Sequence, residues 1–490
     1  MVFSSTVFLF IFLPVCLIVY YNPFIALFQK RRPEGDLSPA AADEKNAVSR
    51  KIRSFRNVFL LLASLAFYAW GEPVNILLMI FSIVLAWFLG LRIASCSSKR
   101  ASKLWLTLGI LVYIIIFFIF KYLTFVSTEI CGWLGLGESP VDIALPIGIS
   151  FFMFQLMSYL FDVYYRTAEP QRNILNLGLY ISLFPQLIAG PIVRYNEIEE
   201  QILNRKETKE DFSEGLIRFV FGLGKKVLLA NYFGLLADNI FALEGSVSAL
   251  TAWLGAFAYT FQIYFDFSGY SDMAIGLGRI FGFHFSENFN YPYISGSVTE
   301  FWRRWHISLS SWFRDYVYIP LGGNRVSGPK WIRNMLCVWL LTGIWHGANW
   351  TFLVWGLMYF VILVAERLTG LNKAERFGIL RHIYTIAVFT TGWVIFRSDS
   401  LSLATGYIGN MLGLRGGGFA DSATLYYLKN SWWLLIVGIV AACPVFRRFR
   451  AYCREKDREL PLIAFNFAVF VLSLISCVSS TYSPFIYFNF

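Results

Sequence analysis

The sequence predicts an all-α polytopic membrane protein, a bundle of about ten full transmembrane helices plus roughly three re-entrant half-helices. Hydrophobic residues make up 57% of the 490 positions, with 16 Trp, 26 Tyr and 49 Phe, which is too apolar for a soluble chain. These residues gather in runs long enough to cross or enter the hydrocarbon layer. Basic residues stand in short clusters between the runs, as they do at the cytoplasmic ends of membrane helices.

The charge distribution and the cysteines exclude several classes of protein. The net charge of +11 comes from the short basic clusters, so it indicates helix orientation in a lipid bilayer and no nucleic acid partner. The seven cysteines are scattered and lack a C-x-x-C pair, so neither a disulfide framework nor a metal site is predicted. No Walker loop or G-x-S-x-G elbow is present.

The apolar runs predict a single membrane domain over residues 1–490. The polar stretch 29–56, rich in Lys and Arg, is expected to be a cytoplasmic loop. The segment PQLIAGP at 185–191 predicts a broken or re-entrant helix, because both of its flanks are basic. The predicted membrane segments are 7–21, 58–70, 74–89, 104–125, 146–166, 174–192, 227–241, 250–267, 383–396, 432–446 and 461–478.

A further apolar segment is too short to cross. Between Arg333 and His346 lie roughly 12 uncharged residues, which as a helix reach about 18 Å against roughly 30 Å of hydrocarbon. Residues 347–349 then interrupt the run, so 334–366 is predicted to be a re-entrant hairpin with His346 near its tip. Non-helical backbone at membrane depth must be buried by protein or line a cavity, so the interruption predicts an internal chamber.

The two candidate catalytic residues are His306 and His346, two of only four histidines. His306 lies in segment 279–333, whose aromatic and Arg-rich composition predicts a cytoplasmic or interfacial position. Imidazole is the side chain that best moves protons near neutral pH, so the two form a candidate acid and base pair. The alternative is that each is a buried polar group bound to a backbone carbonyl. His284 and His382 lie beside basic boundary regions and are interpreted as structural.

Several further residues are candidates because they flank the two histidines or lie near the end of a span. Candidates for donor binding are Arg303, Arg304, Trp305 and Asn324, and supporting candidates are Asp266, Trp345 and Asn349. Guanidinium groups suit the phosphates of a coenzyme donor. For Asp266 the alternative is an ion pair with an Arg of the cytoplasmic side. For Asn324 it is a cap on the turn at Gly322 and Gly323.

Five motifs resemble the membrane-bound O-acyltransferase family, and they extend over nearly the whole chain. The family resemblance lies in EFWRRWHISLSSWFRDYVYIPLGGNR, GIWHGANWTFLVWG, LIAGPIVRY, FDFSGYSDMAIGLGRIFGF and PFIYFNF. Within the family the sequence is most similar to the alginate O-acetylation branch. Residues 29–56 and 398–430 carry no such signature.

The resemblance implies a helical bundle around a central tunnel. His346 matches the family's essential histidine, and His306 matches the second histidine of the bacterial branch. The resemblance also implies an acetyl group taken from acetyl-CoA as a substrate, with no bound cofactor. It further implies an extracytoplasmic partner of the SGNH type, a polysaccharide acceptor and the bacterial cytoplasmic (inner) membrane. The alternative within the family is D-alanyl transfer from a carrier protein to teichoic acid, whereas the length and the LGGNR motif favour acetylation.

Two other classes of function remain open at the level of sequence. A transporter without acyl chemistry would use the same half-helices and intramembrane polar groups, although no internal repeat is visible. A structural scaffold for a secretion complex would tolerate replacement of both histidines.

Overall fold

The computed structural model describes residues 1–22, 39–137, 141–243, 245–456, 458–480, 482 and 486, with the backbone alone for 39–48. Within these ranges the protein consists of helices and turns, and no residue is in a strand. The predicted all-α class is confirmed.

Tertiary contacts group the chain into two compact units. The first comprises Met1–Phe120, Asp142–Leu216 and Ala274–Phe285. Its helices are α1 (Phe8–Tyr20), α2 (Pro39–Ala69), α3 (Asn75–Ser95), α4 (Lys99–Lys121), α6 (Ile149–Tyr165), α7 (Ile174–Ser182), α8 (Phe184–Leu187) and α9 (Tyr195–Asn204). The last residue of α4, Lys121, belongs to the second unit.

The second unit comprises Lys121–Val141, Ile217–Met273 and Ser286–Phe490. Its helices are α5 (Leu123–Leu134), α12 (Val298–Arg304), α13 (Ile307–Phe313), α14 (Gly328–His346), α15 (Trp350–Thr369), α16 (Ile379–Arg397), α17 (Leu401–Met411), α18 (Ser422–Ala442), α19 (Val445–Glu455) and α20 (Glu459–Ser479). Two long helices, α10 (Lys209–Phe241) and α11 (Ala249–Ile280), carry residues of both units.

Eight helices of the described ranges are long and apolar enough to cross a membrane, where the sequence predicted about ten spans. They are Ser49–Ala69, Asn75–Ser95, Lys99–Lys121, Lys209–Phe241, Trp350–Thr369, Ile379–Arg397, Ser422–Ala442 and Glu459–Ser479. Among the other predicted segments, α1 and α6 are shorter helices, and 250–267 lies within the 32-residue helix α11, which is not one of the eight. The helix predicted to break near 185–191 does so, because α7 ends at Ser182 and α8 begins at Phe184.

Two segments are more helical than their charges indicate. Of the predicted loop 29–56, residues 29–38 lie outside the described residues, and 39–56 form the first part of α2.

Helix α14 begins at Gly328 and has 19 residues, so Lys330 and Arg333 lie in its first two turns. Long basic side chains carry their charge outward from a helix and so do not mark its end. Helix α15 is one of the eight possible spans, so its half of the predicted 334–366 hairpin is long enough to cross.

A buried ionic cluster holds the first unit together. The guanidinium of Arg205 is buried and donates to Asn57 Oδ1 at 2.7 Å and to the Tyr20 hydroxyl. Glu207 accepts from the Tyr20 hydroxyl at 2.6 Å and pairs with Arg53. Each buried charge therefore has hydrogen-bond partners, which is the condition under which a buried ion pair is tolerated.

Two glycines allow α14 and α15 to pack at close range in the second unit. A Cβ on Gly343 would lie 2.6 Å from the carbonyl oxygen of Phe352, and a Cβ on Gly356 would lie 3.2 Å from Cα of Gly343. A Cβ on Gly347 would overlap the Phe352 ring. These contacts fix the position of His346, the last residue of α14.

The core of the second unit is aromatic. Trp302 contacts the Tyr359 ring edge-on at 4.9 Å between centroids, and Trp355 contacts Tyr359 at 5.1 Å. Trp305 packs on Trp393 at 4.8 Å. All five side chains are buried. Such pairs add directional contacts to a large apolar burial, so α12, α15 and α16 are held in a defined arrangement.

Candidate active site

His306 lies at the junction of α12 and α13 in a strained backbone conformation. Its φ of 45° and ψ of 54° place it in the left-handed region, which only two other described non-glycine residues, Arg166 and Tyr291, enter. Such a conformation costs about 1–3 kcal/mol and persists where the surrounding structure enforces it. Here the N–H of the next residue, Ile307, donates to the carbonyl of Asn288 at 3.0 Å.

The side chain of Asn288 binds the imidazole of His306. Asn288 Oδ1 lies 3.1 Å from His306 Nδ1, and it also accepts from the backbone N–H and the hydroxyl of Ser308 at 3.2 and 2.9 Å. The ring of Phe267 covers the imidazole edge-on at 4.6 Å. Burial lowers the pKa of His306 to about 3, so the side chain is neutral at pH 7.

His346 ends α14 among aromatic rings. Its imidazole contacts Trp355 at 5.0 Å and Phe396 at 5.1 Å, both edge-on. Gly347 after it has an extended backbone, and Asn349 begins α15 by accepting the N–H of Thr351 at 3.1 Å. The interruption predicted from the sequence is therefore a short helix-to-helix connection.

The two histidines share one neighbour. The indole of Trp345 lies 6.0 Å from the His306 ring and 4.9 Å from the His346 ring, measured between centroids. Residues 40 positions apart in the chain thus contact the same side chain within the second unit. The sequence named all three residues as candidates, and the predicted acid and base pair of the two histidines stays a prediction.

Each histidine carries a buried nitrogen with an unfilled hydrogen-bonding capacity. His306 Nε2 and His346 Nδ1 have no hydrogen-bond partner in the described part of the chain, and the residues are 1% and 6% exposed. His306 binds a side-chain amide rather than the backbone carbonyl that the alternative interpretation required. Both nitrogens therefore keep the capacity to form a hydrogen bond, and they belong to rings that contact the same indole.

Residues 83–377 match the model of the membrane-bound O-acyltransferase family. The chain belongs to this family. It is 38% identical to probable alginate O-acetylase AlgI of Azotobacter vinelandii over 100% of both chains. It is 44% identical to the protein of the same name from Pseudomonas aeruginosa, over 82% of this chain and 73% of the relative. It is 32% identical to peptidoglycan O-acetyltransferase of Helicobacter pylori, over 100% of this chain and 98% of the relative.

Membership of this family makes the chain an O-acyltransferase, and the helices described above make it a multi-pass membrane protein in a lipid bilayer. Among the donor-binding candidates of this acyltransferase, Arg303 is exposed, whereas Arg304 is held by the Glu300 carboxylate at 2.9 Å. Trp305 is buried and packs in parallel on Phe301 at 5.6 Å. Of the two arginines, Arg303 is therefore the one whose side chain is exposed.

The remaining candidates of the acyltransferase make structural contacts. Asp266 forms an ion pair with Lys226 at 2.6 Å and accepts the N–H of Ile486 at 2.9 Å, so its partner is a lysine and not the arginine considered from the sequence. Asn324 Oδ1 accepts from the Tyr318 hydroxyl at 2.6 Å and from Arg367 at 3.0 Å, which ties down the turn after α13.

Three residues at or near the candidate site were not singled out from the sequence. Asn288 binds His306 across 18 positions of the chain. Glu366 accepts the N–H groups of Val298 and Thr299, the first residues of α12. Lys121 donates to the carbonyl of Trp345 at 2.6 Å. Only Lys121 carried a sequence signal, since a lysine at the end of a long apolar run is rare and is usually functional or paired.

Proposed function

We propose that this O-acyltransferase takes an acetyl group from acetyl-CoA in the cytoplasm. It passes the group across the bacterial cytoplasmic membrane for O-acetylation of an exported or cell-surface polysaccharide. The names of its relatives support an acetyl group and a glycan acceptor, since they are called alginate O-acetylase and peptidoglycan O-acetyltransferase. An extracytoplasmic partner of the SGNH type completes the transfer.

The observation that carries acyl transfer is the pair of buried imidazoles at Trp345. Both histidines present a nitrogen without a partner in the described chain, and both contact the same indole. Imidazoles placed in this way take and return protons. Such general acid–base catalysis raises a reaction rate about 10²- to 10⁴-fold. A scaffold has no use for two unpaired imidazole nitrogens, each of which weakens the fold.

His346 acts as general base on the acceptor hydroxyl in the proposed reaction. As the hydroxyl oxygen attacks the acetyl carbon, the new C–O bond forms and the C–S bond of the thioester breaks. The hydroxyl proton goes to imidazole, and the departing thiolate takes up a proton to become the free thiol. His306 lies on the donor side, where it positions the thioester and returns the proton to sulfur.

The donor is bound from the cytoplasm by a cation close to His306. Arg303 precedes His306 by three residues, its side chain is exposed, and a guanidinium binds phosphate oxygens in pairs. Arg304 already donates to Glu300 and to the carbonyl of Asn290. Arg303 is therefore assigned to the coenzyme phosphates, and Arg304 to the structure of the loop.

The test is transfer by purified protein in nanodiscs supplied with acetyl-CoA labelled in the acetyl group. Thiol release and transfer of label are followed with and without a candidate SGNH partner, for the wild type and His346→Ala. We expect release that requires His346, with the label moving to the partner or the glycan. His284→Ala is the matched control, because His284 is 49% exposed and pairs with Asp211 in the first unit.

Three results would contradict parts of the proposal. Normal acetylation by His346→Ala, at wild-type protein level in the membrane, would remove His346 from the reaction. Release only from an acyl carrier protein would replace acetyl-CoA as the donor and favour D-alanyl transfer. Solute flux in liposomes, with no acyl transfer from either donor, would show that the protein acts as a transporter.

A further inference from the structure

The amide of Asn288 is fully inside the second unit and binds two other residues. Asn288 and His306 are each 1% exposed. The amide oxygen lies 3.2 Å from the backbone nitrogen of Ser308, 2.9 Å from its hydroxyl, and 3.1 Å from Nδ1 of His306. One oxygen atom therefore faces three nitrogen or oxygen atoms, one on His306 just before α13 and two on Ser308 in its first turn.

The Ser308 backbone N–H determines which way this amide points. A backbone nitrogen can only donate, so the amide atom that faces it must be the oxygen. Reversing the amide would direct its NH₂ group at the Ser308 N–H and lose that hydrogen bond. Since Oδ1 can only accept, the hydrogen bond to His306 requires that Nδ1 carries the proton.

A neutral imidazole has one N–H, so protonation of Nδ1 leaves a lone pair on Nε2. His306 is neutral at pH 7 because burial keeps its pKa far below that of a solvated histidine. Nε2 is also the imidazole atom that no described residue binds. Nε2, the ring nitrogen of His306 that no described residue binds, is therefore a proton acceptor.

We propose that Asn288 is a positioning residue that holds His306 in the Nδ1–H tautomer, so that Nε2 enters the reaction without a proton. This inference rests on the proposed acyl transfer for its consequence. In the resting enzyme His306 cannot protonate a leaving thiolate. The proton that ends on sulfur must first pass from the acceptor hydroxyl to His346, the general base, then to Nε2 of His306, and from there to sulfur as the C–S bond breaks.

The tautomer itself is measured by ¹⁵N NMR of the full-length wild-type protein in nanodiscs, with ¹⁵N in the histidine rings. The chain has four histidines, so His306→Gln identifies the signals of His306. We expect one protonated nitrogen at Nδ1 and one unprotonated nitrogen at Nε2 at pH 7. An Nε2–H tautomer, or a doubly protonated ring, would overturn the inference. The measurement needs no activity, so its outcome is separate from that of the acyl-transfer test.

Variants of Asn288 then test the consequence. Asn288→Leu removes the acceptor, and we expect the ring to leave the pure Nδ1–H state and the transfer rate to fall about 10²- to 10⁴-fold. Asn288→Asp keeps an acceptor and adds a negative charge that stabilises imidazolium. It should retain the Nδ1–H tautomer and most of the rate, with the acidic limb of the pH–rate profile moved to higher pH.

Asn290→Leu is the matched control, because this nearby side chain is exposed and its hydrogen bond to Arg304 uses only the backbone carbonyl. It should leave both the tautomer and the pH profile unchanged. An Asn288→Leu protein with the wild-type His306 tautomer would contradict the positioning role. So would an Asn288→Asp profile identical to that of the wild type.

Discussion

The carboxylate of Glu366 accepts the backbone N–H of Thr299 at 2.8 Å and its hydroxyl at 2.6 Å. Its other oxygen accepts the N–H of Val298 at 2.8 Å. Val298 and Thr299 are the first residues of α12, the helix that precedes His306, whereas Glu366 lies in the last part of α15, the helix that packs against α14 and its His346. One buried carboxylate thus joins the helix that precedes His306 to the helix that packs against the one ending at His346.

Replacing Glu366 should therefore lower stability and activity together. Glu366→Gln removes the charge at the start of α12 and turns one acceptor into a donor that faces backbone N–H. We expect a loss of about 1–3 kcal/mol in the free energy of unfolding and a slower acyl transfer. Thermal unfolding in detergent and the nanodisc assay measure both. Glu375→Gln, at an exposed turn, is the control, and equal behaviour of the two variants would exclude this role for Glu366.

Trp345 should be needed for the geometry of both histidines. Trp345→Ala removes a side chain that is 4% exposed and contacts both imidazoles, at a cost of about 3–5 kcal/mol for a buried Trp. Trp345→Phe keeps an aromatic ring at this position, so it should retain more transfer activity than Trp345→Ala at equal protein level. Equal activities of the two variants would show that the shared ring contact has no part in the reaction.

The class of fold, which is confirmed, and the choice of the two histidines as candidates, whose roles stay predictions, both follow from local signals in the sequence. Long apolar runs identify membrane helices, and an imidazole in such a chain is rare enough to indicate function. Asn288 and Glu366 were not predicted from the sequence. Their contacts join residues 18 and 67 positions apart, and no local sequence pattern encodes such contacts. The start of α14 was predicted too late in the chain, after Arg333. A long basic side chain can reach out of the membrane from within a helix, so Arg333 does not mark where the helix begins.

Lys121 is predicted to support His346 through the backbone. Its ammonium donates to the carbonyl of Trp345 at 2.6 Å, and Tyr122 donates to the carbonyl of Ile344, so both act on the C-terminal turn of α14. Cations stabilise helix C-termini, and a carbonyl left unpaired in the interior costs about 1–3 kcal/mol. Lys121→Met should lower the melting temperature and the transfer rate, and Lys103→Met, at an exposed position, should change neither.

An unchanged transfer rate in Lys121→Met, with a lowered melting temperature, would limit Lys121 to a role in folding. Wild-type values for both quantities would show that the carbonyls at the end of α14 need no cation. The rate and the melting temperature are therefore measured on the same preparations.

The stability of the protein should depend on pH through His306. Its pKa is about 3 in the folded protein, because of burial, against about 6.5 in an unfolded chain. Between these values the unfolded state binds more protons than the folded state, so stability falls as pH falls from about 6.5 towards 3. The neighbours that contact the ring are Phe267, Trp345 and the neutral amide of Asn288, which do not offset the cost of charging it.

His306→Gln removes this contribution and leaves the carboxylates of the protein unchanged. The melting temperature of the variant in detergent should therefore fall less steeply than that of the wild type between pH 6.5 and pH 4, while the two curves run parallel above pH 7. His284→Gln is the matched variant, since it also removes one imidazole, but from a half-exposed position. Parallel curves for His306→Gln and the wild type over the whole range would mean that His306 titrates alike in the folded and unfolded states. Water would then reach the imidazole, and the burial that keeps His306 neutral in the tautomer argument would be contradicted.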